Sequence, residues 1–146
     1  MPSPVRIAPL GGLGEIGMNC LALECEGRVT VVDCGLLFPA EPFGVEAIAP
    51  DLSWLRERRD RIDAVLLTHG HEDHLGALPL LLRDVPVPVF GPRLALALLR
   101  PRLEEAGVRA DLREVRDGEL VRPDGSPLAA EFVPVAHSVP DACALA

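Results

Sequence analysis

Lysine and tyrosine are absent from this 146-residue chain, and one tryptophan and four phenylalanines are its only aromatics. With 15 prolines and arginine standing wherever a lysine might, this is a compositional bias that carries little functional weight. No apolar run approaches the roughly 20 residues of a membrane-spanning helix. Met1-Pro2-Ser3-Pro4 has neither the basic nor the apolar region of a signal peptide. A cytoplasmic protein without membrane contact is expected. CxxC spacing is missing too. Cys20, Cys25, Cys34 and Cys143 fall in apolar or strand-like surroundings and read as reduced, mostly buried thiols rather than disulfides or a zinc knuckle. The zincin pattern HExxH does not occur, because His71 and His74 are three apart rather than four. Positive charge is scarce: the net charge of −8 is awkward for a protein that must hold polyphosphate, whose affinity ordinarily comes from a basic surface. Two divalent cations would offset half of it locally.

What is present is enough apolar content, 49%, to build the core of one ordinary domain. Val5–Ala8 alternates as a first strand and runs into Gly11-Gly12-Leu13-Gly14-Glu15-Ile16-Gly17. Gly12, Gly14 and Gly17 form a formal GxGxxG, and Met18, Leu21, Ala22 and Cys25 have helical spacing, so a dinucleotide-binding turn is one reading. The other is a hairpin, Glu26-Gly27 joining a strand Cys20–Cys25 to a strand Arg28–Val32, with the glycines forming a tight loop. The second is preferred because the candidate helix would be very short. Residues 36–50 read as a loop. Asp51 can cap a short helix through Arg59, and Ile62–Leu67 reads as a strand. Gly76–Arg83 follows as a helix with Pro79 in its first turn, then an edge-like strand Val87–Phe90. A helix from Pro92 to Glu105, kinked or interrupted at Pro101, stops at Gly107. Leu112–Val115, Glu119–Val121 and Leu128–Val135 read as strands. Ala142–Ala146 begins another, so the sequence looks like the N-terminal portion of a longer protein.

The chemistry is concentrated after the strand ending at Leu67. Three of the four histidines and Asp73 lie within the six positions His69–His74, as HxHxDH. Two imidazoles at i and i+2 of extended backbone point the same way, and Asp73 and His74 on the next turn face a second point nearby. Each residue alone would ordinarily be a solvated side chain or, for Asp73, a helix cap. Packed together, neutral imidazoles and a carboxylate build no core, whereas a cation satisfies them all. Asp33 ends a buried strand, as a turn aspartate or as a group that holds the metal loop from behind. His137 closes the strand Leu128–Val135, where an imidazole could complete a three-histidine set.

Three motifs now fall into order: PLGGLGEIGMN (Pro9–Asn19), THGHEDHLGALPLLL (Thr68–Leu82) and VPVAHSVPDA (Val133–Ala142). With Asp33, they resemble the metallo-β-lactamase superfamily and, within its β-CASP branch, the bacterial ribonuclease J family. Met18 stands where that family often has lysine, and Glu46 where it often has aspartate. The resemblance implies an α/β fold, a metallo-β-lactamase-type αββα sandwich of which residues 1–146 are the N-terminal part, the β-CASP and C-terminal domains lying outside this chain. It implies that His69, His71 and His137 bind one zinc ion and that Asp73 and His74 bind a second, whose remaining ligands would lie past Ala146. The truncated chain would then hold two zinc ions, one or none. RNA is the implied partner, with any homo-oligomer formed through the outlying domains.

The implied reaction is hydrolysis of RNA phosphodiester bonds, 5′-to-3′ and internally, in mRNA decay and rRNA maturation. Asp73 and His71 are the catalytic candidates. Asp73 serves as ligand and possible base, and Asp33 acts through the groups it orients. Two other readings stand beside it: a hydrolase of the same fold acting on a thioester or lactam, and a catalytically silent fragment with an incomplete site.

Overall fold

The structure, a computed structural model, describes residues 3–41 and 43–146; Met1 and Pro2, on which part of the leader reading rests, and Pro42 of the 36–50 loop lie outside it. Strands β1 (Val5–Gly11), β2 (Cys20–Cys25) and β3 (Arg28–Val32) form an antiparallel meander. Glu26 and Gly27 between β2 and β3 both have positive φ, 51° and 76°, the requirement of a two-residue type I′ turn. The segment Met18–Cys25 is therefore loop and strand, and no helix follows the glycines to make a dinucleotide-binding turn.

Beyond β3 the connections become parallel crossovers. β4 (Ile62–Leu66), β5 (Val89–Gly91) and β6 (Leu112–Glu114) extend the sheet in the order β1-β2-β3-β4-β5-β6. Helices α1 (Ser53–Arg56), α2 (Glu72–Leu75), α3 (Leu78–Asp84) and α4 (Arg93–Glu105) lie in the crossovers. A smaller antiparallel sheet holds β7 (Leu120–Val121), β8 (Ala130–Pro134) and β9 (Cys143–Leu145). Strand β4 is buried along its whole length, and the period of two divides its side chains between two cores. Val65 and Leu67 pack with Leu75, Leu78, Leu81 and Leu99 of the helices. Ala64 and Leu66 pack with Phe90, Val121, Phe132 and Cys143 toward the small sheet. The layers are thus helix, sheet and sheet, the expected sandwich over the described part. Among the described residues no helix is long and apolar enough to cross a membrane, and all four cysteines are free and buried.

Three sequence expectations are corrected. Val87–Phe90, read as edge-like because of its prolines, is represented by β5, which lies between β4 and β6 with all three residues buried. Pro88 precedes the strand and needs only its carbonyl, which accepts from Val65 N at 2.9 Å. The helix expected through Arg59 stops at Arg56, since Leu55 is its only buried residue and nothing apolar anchors another turn. A separate 3-10 turn, Arg59–Arg61, follows it. Asp51 does accept from Ser53 N at 2.9 Å. The helix α4 runs without interruption through Pro101.

One polar contact fixes the end of β4 remote from the loops that follow it. Asp63 is buried, and its Oδ1 accepts from Arg28 Nε at 2.7 Å and from a second nitrogen of the same guanidinium. Its Oδ2 finds no donor among the described residues. Because Arg28 is still 37% exposed, its charge can rehydrate if the partner goes. Asp63→Ala is therefore expected to cost about 1–3 kcal/mol rather than the full penalty of an orphaned buried charge, read from the urea midpoint at constant m-value.

Candidate metal centre

The donors stand at the C-terminal ends of the parallel strands, where open α/β sheets present ligand sites. Val32 and Leu66 are paired across β3 and β4, so Asp33 and the Thr68 loop emerge side by side. Asp33 N donates to Leu66 O at 3.0 Å, and its φ of 56° is a left-handed conformation that aspartate tolerates. The buried carboxylate then receives three hydrogen bonds: from Thr68 N at 2.8 Å, from Thr68 Oγ1 at 2.8 Å, and from His74 Nδ1 at 2.7 Å.

A carboxylate can only accept, so this network fixes protons. His74 carries its proton on Nδ1 and keeps a lone pair on Nε2. Thr68 spends its single hydroxyl proton on Asp33 and must accept from His69 Nδ1, 2.9 Å away. That leaves His69 Nε2 as a lone pair as well. His69 Nε2 faces His71 Nδ1 at 3.1 Å, while His71 Nε2 lies 3.4 Å from Ser138 Oγ. The His71 tautomer with its proton on Nε2, toward Ser138, turns two lone pairs toward one another and offers both to a cation; the other tautomer joins the two rings by an N–H···N bond. Four-coordinate zinc with bonds of about 2.0–2.1 Å separates its nitrogen ligands by roughly 3.3 Å, so the spacing fits.

His137 arrives from the loop between β8 and β9, three residues beyond the strand it was expected to close. Asp141 ties this loop to α4 by accepting from Leu94 N at 3.2 Å, and Cys143 N donates to Thr68 O at 3.1 Å. The ligand atoms of His69, His71 and His137 all lie within 4.8 Å of one another. The His137 ring centroid is 4.7 Å from that of His69 and 4.9 Å from that of His71. Burial runs from His69, 7% exposed, through half-buried His71 to exposed His137, so the group opens to solvent on one side.

Asp73 and His74 sit in the single turn α2, which begins at Glu72 rather than near Gly76. Asp73 Oδ2 is 3.5 Å from His74 Nε2. Close backbone approach holds this turn. Asn19 N donates to Asp73 O at 2.9 Å, Cys34 N to His74 O at 2.7 Å and Leu36 N to Glu72 O at 3.0 Å. A Cβ on Gly35 would overlap the Asp73 carbonyl, so glycine is required there. The Glu72 side chain pairs with Arg102 of α4. Three polar groups that hold donors in place had no role assigned from sequence: Thr68, Ser138 and Asn19, whose amide touches both Asp73 and His74. Each lies inside a quoted motif, next to or opposite a donor, and that adjacency was the available signal.

Burial, and then the neighbouring imidazole of His74, push the His69 pKa down to about 4. For His74, burial acts to lower the pKa, but the Asp33 hydrogen bond and the charges of Asp33 and Asp73 prevail and raise it. The signs oppose. His74 contributes stability that is present below its unfolded pKa and lost as pH rises through its raised folded value. His69, depressed, binds fewer protons folded than unfolded, so its contribution is lost as pH falls from about 6.5 toward 4. The shift at His69 is the larger. Chelated protein is expected to lose up to about 3 kcal/mol between pH 7 and 4.5, measured by urea unfolding at the two pH values.

The sequence profile of the Metallo-beta-lactamase superfamily matches residues 13–142. The chain is 43% identical over 146 residues to ribonuclease J of Synechocystis sp., covering 97% of this chain and 23% of that protein. It is 41% identical over 140 residues to ribonuclease J2 of Bacillus subtilis, covering 94% of this chain and 25% of that one. It thus spans about a quarter of these relatives. A crystal structure of a diphosphatase from the PhnP family shares the fold, with a TM-score of 0.61 at 18% identity over 98% of this chain and 62% of that one. By the match over most of its length and by the architecture that carries the histidines, this chain belongs to the metallo-β-lactamase superfamily.

Proposed function

We propose that this chain provides the metal-binding part of a hydrolytic ribonuclease that cleaves RNA phosphodiester bonds. The observation that carries the reading is the convergence of His69, His71 and His137, with Asp73 and His74 of α2 beside them, at the C-terminal ends of the parallel strands. Similarity to the ribonucleases J supports RNA as the substrate class. In this reading His69, His71 and His137 hold one divalent cation, zinc by the chemistry of its donors, and Asp73 and His74 contribute to a second. When bound, such a pair activates water near neutral pH and neutralises charge developing on the phosphoryl group. The chain's own residues do the rest. Asp73 accepts the proton of the attacking water, His71 keeps its Nδ1 bare by directing its other nitrogen at Ser138, and Asp33 fixes the tautomers of His69 and His74. Residues 1–146 then form the N-terminal part of the catalytic domain. The ribonuclease acts in the cytoplasm, a reducing compartment that suits its free thiols, both exonucleolytically from the 5′ end and internally in mRNA decay and rRNA maturation.

The surface beside the donors suits a single strand. A groove of about 490 Å³ is lined by Ile16, Gly17, Leu36 and Phe38 and ends on His71, Glu72 and Asp73. Ile16 is 95% exposed and Phe38 57% exposed, an apolar wall against which a nucleobase stacks while its phosphate meets the cations. At about 1–3 kcal/mol per stacked base, Phe38→Ala should raise KM for a short RNA roughly 5- to 150-fold with little change in kcat. An unchanged KM would remove the groove from the substrate path.

The direct test gives the full encoded polypeptide 5′-monophosphorylated RNA and, separately, a thioester. Cation-dependent RNA cleavage is expected; thioester turnover with intact RNA would place the chain among small-molecule hydrolases. One observation favours a second reading, a chain that is silent by itself. Among the described residues the histidine trio is the only gathered group of three donors, so residues 1–146 alone assemble the donor set of one cation. Elemental analysis returning one zinc equivalent for residues 1–146 and two for the full polypeptide would join the two readings.

A further inference from the structure

The glycine-rich loop Gly11–Asn19 opens no helix, yet its backbone is tightly specified. A Cβ on Gly11 would overlap the Met18 carbonyl, one on Gly12 would press on Asn19 Oδ1 at 2.7 Å, and Gly12, Gly14 and Gly17 have φ of 83°, 74° and 113°. What the loop delivers is Asn19. Asn19 N donates to Asp73 O at 2.9 Å, and Asn19 O accepts from Gly35 N at 3.0 Å, so the residue is clamped by its backbone on both sides. Its side-chain Nδ2 then lies 3.1 Å from Asp73 O, 3.1 Å from Asp73 Oδ2 and 3.2 Å from His74 Nε2.

These are the two donor atoms assigned above to the second cation, and among the described residues the Asn19 amide nitrogen, carrying two protons, is the one side-chain group within hydrogen-bond distance of both. We infer that Asn19 is a positioning residue for the second cation: its amide holds the Asp73 carboxylate, through Oδ2 and the carbonyl of the same residue, in the rotamer that faces His74 Nε2. The inference rests on the two-cation reading. Among the described residues Asp73 has no other side-chain hydrogen-bond donor: the Thr68 hydroxyl donates to Asp33, and Ser138 lies against His71. Without Asn19 the Asp73 carboxylate is free to turn into solvent, and the cost of ordering it falls on cation binding. The histidine trio, which Asn19 does not touch, is unaffected.

The test compares the full encoded polypeptide with Asn19→Ala and Asn19→Leu, titrating chelated protein with zinc in competition with a chromophoric chelator. Leucine keeps the volume of asparagine without its donors, and both variants keep the backbone bonds of residue 19. Expected is a second-equivalent Kd raised roughly 10- to 100-fold in both variants, with the first equivalent and the Tm of the chelated protein unchanged. Second-equivalent affinity restored by leucine would make the role one of packing and overturn the inference, as would two equivalents bound by alanine with parental affinity. A parental polypeptide that takes up only one equivalent would instead overturn the two-cation reading, and this inference with it.

Discussion

Replacing His71 with alanine is expected to reduce cation-dependent RNA cleavage by roughly 1,000-fold or more, the equivalent of about 4 kcal/mol of transition-state stabilisation. His71 is one of three mutually adjacent imidazoles: its Nδ1 faces His69 Nε2 at 3.1 Å and its ring lies 4.9 Å from that of His137. Removing it leaves His69 and His137, whose rings are 4.7 Å apart, as a two-nitrogen site with one member exposed. The same change should leave the fold alone. His71 is half-buried, its side-chain bonds among the described residues are to His69 and Ser138, and the backbone of the turn it opens is held through His71 O by His74 N and Leu75 N at 3.0 Å. Truncation of such a residue costs within about 1 kcal/mol. Cation binding itself stabilises the folded state by mass action, so parent and variant must be compared as chelated proteins. Equal Tm values under chelation with lost cleavage are the expected pair of results; retained cleavage would remove the trio from the chemistry.

Much of this site was legible because its information is local. HxHxDH places four donors on one strand end and one helical turn, so their common direction follows from backbone geometry whatever the rest of the chain does. His137 is different. Nothing in spacing joins it to His69, 68 positions earlier, and its place in the set rested on its position at the end of a strand, given HxHxDH, and then on the order of three motifs. The helix-or-strand ambiguity at Met18–Cys25 was settled by Glu26-Gly27, whose positive φ values belong to a hairpin. The edge reading of Val87–Phe90 failed because a proline just outside a strand costs no ladder bond, and only the neighbouring strands reveal which positions need one. Thr68, Ser138 and Asn19 stayed silent for a related reason. Hydroxyls and amides are common on loops, and their role exists only in which nitrogen or oxygen they face.

That reasoning gives the second large effect, at a residue that touches no cation. Asp33→Asn preserves shape, volume and tolerance of the 56° φ, yet in the proposed two-cation reading it should weaken both sites. With the new amide nitrogen toward Thr68 Oγ1 and His74 Nδ1, the threonine must turn its proton onto His69 Nδ1, which forces the His69 proton to Nε2. His74, now facing a donor, must likewise shift its proton to Nε2. Both lone pairs offered to cations are then lost together. Turning the amide the other way sets it against Thr68 N–H, a buried donor left unpaired at about 1–3 kcal/mol. An error of tautomer at each site, at 10- to 100-fold in affinity apiece, predicts roughly 100- to 10,000-fold loss of activity at limiting zinc. Thr68→Val separates the two arms, because it breaks only the link from Asp33 to His69 and should weaken the histidine-trio cation alone. Zinc titration of both variants decides the matter: an Asp33→Asn protein that keeps its first equivalent at parental affinity would show that the carboxylate serves His74 and that the relay through Thr68 carries nothing.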